Sequence, residues 1–162
     1  MIAPTALLTA AVTFDSTVKF VHVLLAILAV GSNLSYGIWL AGAGQAPEND
    51  AHALRGIKRL HERVAIPAYV LLGVTGVILL ARGPWDLLTP WITASCMLYL
   101  VGLVAAVLGY APALKNQLLA LEQRGPGSPG YRSATRLTTI AGGLTATLVV
   151  VVTFLMVTKP GG

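Results

Sequence analysis

The side chains of this sequence that could carry chemistry are three histidines, one cysteine, and the tyrosines and small polar residues spaced between them. His22 stands out because it interrupts the apolar run Phe20 to Val30, and an imidazole there can bind a metal, ligate a haem iron or pass a proton. On a helix at ~100° per residue, Ala29, Asn33 and Tyr36 fall within about 40° of His22, so one stripe gathers the polar groups. A lipid-facing Asn or His loses its hydrogen bonds to water without replacement, and the stripe is therefore expected to point inward. The same wheel aligns Tyr69, Gly73 and Gly76, then Ser95, Tyr99, Gly102, Ala106 and Tyr110, then Thr139, Gly143, Ala146 and Thr153. Packing between helices accounts for small and hydroxylated residues in such stripes.

His22 lies five or so residues inside its helix, with Ser95, Tyr99 and Thr153 as its expected neighbours. His22 and Tyr99 are the candidate cofactor-binding residues, and His22 is the candidate metal ligand. His52 and His61 fall in a basic connection and read as solvated. The helical rise puts His61 roughly 25–30 Å from His22, which excludes a single haem clamped by both. Cys96, Met97 and Met156 share the depth of His22, but the wheel turns both methionines away, so a copper site from this chain alone has little support. A single cysteine allows neither an internal disulfide nor a cysteine-based zinc site. No Ser-His-Asp grouping, phosphate-binding glycine loop or carboxylate pair occurs within the apolar segments, and catalytic residues are not assignable.

The elements that must hold these residues follow from composition. The 162 residues are 56% hydrophobic and only 10% charged, too few charges to cover a soluble domain of this size. Apolar segments of about 20 residues, the length that crosses ~30 Å of hydrocarbon, predict spans over 17–40, 64–81, 91–114 and 136–157, with an interfacial helical lead-in over 51–63. The fold expected is all-α: one transmembrane domain, a four-helix up-down bundle over 1–162. Met1 to Ala11 lacks a positively charged leader region and reads as an uncleaved segment near the interface. Arg55, Lys58, Arg59 and Arg63 lie between the first two spans, and Lys115, Arg124, Arg132 and Arg136 in or beside the connection of the last two. The positive-inside rule then places those connections in the cytoplasm and both termini outside, for a multi-pass protein of the inner (plasma) membrane. The net charge of +5 is scattered over short loops with no basic stripe, which excludes nucleic acid as a partner.

The run Val18-Lys19-Phe20-Val21-His22-Val23-Leu24, with Gly31, Pro67, Thr75-Gly76, Pro90-Trp91, Leu98-Tyr99 and Pro112, resembles a family of small bacterial integral membrane proteins of unknown function. The resemblance covers roughly residues 16 to 157. Its first helix is also similar to those of the copper-resistance D and HemJ-type membrane domains, which implies a helical bundle whose first-helix histidine, here His22, binds haem or serves copper handling. This chain has Ala29-Val30-Gly31 where those relatives often carry a tryptophan before the glycine, and its later spans hold no second histidine or lysine at membrane depth.

Two functions remain from different classes. One is an accessory or scaffolding subunit that docks, through lipid-facing surfaces, on a larger membrane complex of respiratory or redox character. The other is a redox protein holding haem b or a metal through His22, with Tyr99 or a partner chain completing the site. Asn33 and Thr75 are too few to outline a transport pathway.

Overall fold

The computed structural model describes residues 13–43 and 47–160, and the regular structure among them is entirely helical. Six helices follow in order: α1 (Phe14–Ala43), α2 (Pro47–Leu60), α3 (Ile66–Arg82), α4 (Pro90–Val104), α5 (Ala111–Arg124) and α6 (Pro129–Thr158). The π-helical turn His61–Ala65 joins α2 to α3, and another, Ala105–Tyr110, joins α4 to α5. The chain thus makes four rods, each long and apolar enough to cross a membrane: Phe14–Leu40, Asn49–Arg82, Pro90–Arg124 and Pro129–Thr158. The polar lead-in before the second span begins at Pro47, and Met1 to Ala11 lies outside the described residues.

Each π-turn has a local cause. Pro67 and Pro112 stand two residues after the turns end, in the first turns of α3 and α5. A proline inside a helix has no N–H to give, and its ring clashes with the carbonyl four residues back. Widening the preceding turn by one residue relieves that clash without breaking the rod. The shifted bonds are visible: the Ile66 N–H reaches the His61 carbonyl and the Ala111 N–H reaches that of Ala106.

The connections are equally local. The Leu88 N–H is held at 2.9 Å by the Asp86 carboxylate before Pro90 opens α4. Gly125, at φ 78°, ends α5 in a conformation that side chains avoid, and Ser128 caps α6 by accepting the Tyr131 N–H at 3.1 Å.

In the bundle, α1 packs on α2 and α3, α6 closes against α1, α4 and α5, and α2 meets α5. The tightest packing is at the basic end, where Leu54, Ile57, Ala65 and Leu114 are all but inaccessible. Between α3 and α4 the join is made by Tyr99, whose hydroxyl would lie 2.5 Å from a Cβ on Gly73. Ile27, Ile38, Val77, Leu108 and Phe154 face outward, as a surface solvated by lipid allows.

The fourth rod departs from the wheel. Thr138 and Thr145 are buried and a Cβ on Gly142 would meet the Tyr110 ring at 3.0 Å, whereas Thr139, Gly143 and Thr153 are exposed and Gly143 has open space beside it. The inward face is therefore turned by one residue, ~100°, from the expected stripe. Threonine misleads here because its hydroxyl can donate to its own helix: Thr147 to the Gly143 carbonyl at 2.9 Å, Thr153 to that of Val149 at 2.8 Å. So satisfied, threonine can face lipid.

Candidate functional site

His22 finds its partner on α3. Its Nδ1 lies 2.8 Å from Thr75 Oγ1, and that oxygen also sits 2.9 Å from the Leu71 carbonyl and 3.0 Å from that of Leu72. The hydroxyl has one proton. When that proton goes to a carbonyl, Nδ1 must donate, and the lone pair then resides on Nε2. Gly76 provides the seat, since a Cβ there would stand 3.3 Å from the imidazole Cε1. The ring is half-buried in the crevice between α1 and α3.

None of the neighbours expected for His22 hydrogen-bonds to it. Tyr99 donates to the Tyr69 carbonyl at 2.5 Å, Thr153 turns back on its own helix, and Ser95 is buried with its hydroxyl unpartnered. Thr75 and Gly76, a hydroxyl beside a gap, were the signal in the sequence that this crevice exists.

His61 is the larger correction. Read as a solvated loop residue, it is 2% exposed and sits in the core. It continues the buried stripe of Leu54 and Ile57 on α2 and packs against the other π-turn. Its ring meets Tyr110 edge-on at 4.9 Å between centroids and Tyr36 at 6.0 Å, while Tyr36 and Tyr110 stack at 5.7 Å. Nδ1 lies 3.4 Å from the Tyr36 hydroxyl. Two buried polar atoms of the cluster, His61 Nε2 and the Tyr110 hydroxyl, have no hydrogen-bond partner. His52 is exposed, as expected of a solvated residue, and stacks on Trp39 at 6.4 Å.

Between the histidines the polar groups form a seam. Asn33 donates to the Tyr69 hydroxyl and, at 2.9 Å, to the Ala29 carbonyl; Tyr36, one turn further along α1, opens the aromatic cluster. The fourteen residues from His22 to Tyr36 span about 21 Å of helix, so His22 and His61 belong to separate sites. Cys96 is half-buried, Met97 and Met156 are exposed, and no three His, Cys, Asp or Glu side chains among the described residues group to hold a metal.

The cavity beside Tyr69, Tyr99 and Gly102 has a volume of about 40 Å³ and an almost wholly apolar lining. Small-molecule pockets run to ~300–1,000 Å³, well above the volume of this cavity. At the His22 crevice Nε2 would be the atom of this chain able to hold a metal or haem iron.

Four apolar rods around a polar seam define an integral membrane four-helix bundle. A family model described as "Predicted integral membrane protein (DUF2269)" matches residues 16–160, and the chain belongs to that family. No curated protein and no solved structure matches the chain.

Proposed function

We propose that the chain is an accessory subunit that packs through its lipid-facing helix surfaces against a larger membrane complex of respiratory or redox character. The observation that carries this reading is the small size of the cavity beside Tyr69, Tyr99 and Gly102, about 40 Å³ against the ~300–1,000 Å³ of small-molecule pockets. The broad apolar exteriors of the helices, with Val104 and Phe154 exposed, offer the larger surface for contact. Photo-crosslinkers placed at the exposed Val104 and Phe154, and at the buried Ala106 as control, test it in native membranes. One discrete protein adduct from an exterior position is expected; adducts to lipid alone would remove the reading.

A second reading, haem b or metal handling through His22, draws on the Thr75 contact. A neighbour that holds one ring nitrogen and leaves the other free is the usual second shell of a metal-bound histidine. The second axial ligand then comes from another chain. The absorbance of protein purified in native lipid decides: a Soret band lost in His22→Ala supports this reading, and a colourless preparation ends it.

In either case the basic connections face the cytoplasm and both termini lie outside, in the plasma membrane. This rests on the concentration of Lys and Arg at one end of the bundle. Cysteines placed at Asn49 or Ser128 of a Cys96→Ala background resist an impermeant thiol reagent in intact cells if the orientation is correct, and their labelling reverses it.

A further inference from the structure

The outside of the basic end carries a feature that the seam does not use. A groove of about 410 Å³ runs between α5 and the first turns of α6. Its lining combines polar side chains, Asn116, Gln123, Arg124 and Ser133, with the exposed apolar ones of Leu119 and Leu137. Arg124 lies across Gly130, where a Cβ would come within 2.5 Å of its Nη1, so a glycine at that position is what lets the guanidinium lie there.

The charges leave this arginine unneutralised. Glu122 pairs with Arg55 at 3.0 Å, Glu62 with Lys58 at 2.7 Å, and Asp50 accepts from the Tyr131 hydroxyl. Among the described residues no carboxylate is bonded to Arg124, and Lys115, Arg132 and Arg136 stand exposed on either side. Depth also matters. From Leu137 to Thr158 the helix rises about 32 Å, close to the hydrocarbon thickness, which puts Leu137 at the acyl boundary and Arg124 and Ser133 at the level of lipid phosphates.

We propose that this groove seats one anionic phospholipid, its phosphate on Arg124 and the start of an acyl chain along Leu119 and Leu137. A guanidinium offers paired donors to phosphate oxygens, and the flanking cations favour a headgroup of net negative charge over a zwitterionic one. Free phosphate shares the anionic chemistry but gains nothing from the apolar side chains.

The test uses the full chain purified in mild detergent and loaded with phosphatidylglycerol, phosphatidylcholine or inorganic phosphate, with retained ligand counted by native mass spectrometry. Wild type keeps one phosphatidylglycerol, and retention falls at least ~5-fold in Arg124→Ala, as expected for loss of a charge-assisted contact. Gly130→Leu, which displaces Arg124 without removing it, shows the same fall. Arg59→Ala, an exposed arginine outside the groove, leaves retention unchanged. Equal retention of the two lipids, an equal loss in Arg59→Ala, or displacement of the lipid by inorganic phosphate overturns the proposal. So does a wild type that keeps no lipid, the result expected if another protein covers the groove.

Discussion

The two histidines of the seam occupy opposite kinds of surroundings. His61 is enclosed by aromatic rings from α1 and the second π-turn, with one ring nitrogen near a hydroxyl and the other without a partner. His22 is half-buried at the edge of the bundle, fixed by one contact to Thr75. The contrast separates packing from reach. A ring with no route to the surface can act only on the residues around it, whereas a ring at a crevice between two helices can meet something outside the chain.

If that contrast is sound, disturbing the His61 cluster damages the fold most. Tyr110 is the piece to remove, because it stacks on Tyr36, meets His61 and lies over Gly142, joining its own rod to the other three. Tyr110→Ala is expected to destabilise the bundle by about 3–5 kcal/mol, the range for truncating a large aromatic in a close-packed core. Thermal unfolding in detergent, followed by circular dichroism, measures it. A loss under about 1 kcal/mol, no more than a typical surface change, would show that the cluster is loosely packed.

A sharper version compares adjacent glycines. Gly142→Leu must push the Tyr110 ring aside, since even a Cβ there would be 3.0 Å from it, and about 1–3 kcal/mol of destabilisation is expected for such overpacking. Gly143→Leu points into open space and should change stability by no more than about 0.5 kcal/mol. Equal effects would undo the assignment of the inward side of α6, and a larger effect at Gly143 would restore the face first expected from the sequence.

The pair also marks what was legible in the sequence. Span number, the inward stripes of the first three rods and the interior place of Tyr36, Tyr69 and Tyr110 follow from hydropathy and the 3.6-residue period, because a polar group in lipid has to find a partner. The face of α6 does not follow, since its threonines satisfy themselves on their own carbonyls. The burial of His61 was hidden for another reason. It lies among Arg59, Glu62 and Arg63, whose charges suggest an exposed connection, yet it falls four residues after Ile57 and seven after Leu54, on the buried stripe of α2. The stripe Leu54, Ile57, His61 was therefore readable at the 3.6-residue period, and the charges around it masked it.

The smallest expected effect concerns His22 itself. Its contact with Thr75 is one hydrogen bond at 2.8 Å, and such bonds contribute about 0.5–1.5 kcal/mol net, with double-mutant cycles inside membranes averaging ~0.6 kcal/mol. His22→Ala and Thr75→Val should therefore each lower stability by about 1 kcal/mol or less, far below the loss in Tyr110→Ala. Because each removes the same bond, the double variant should fall short of their sum by roughly that coupling. A coupling indistinguishable from zero means that Thr75 does not hold the imidazole, and the argument for a free Nε2 goes with it. A loss in His22→Ala as large as that in Tyr110→Ala would mean instead that His22 is a packing residue like His61, and the distinction between an enclosed histidine and one that can reach outside the chain would no longer stand.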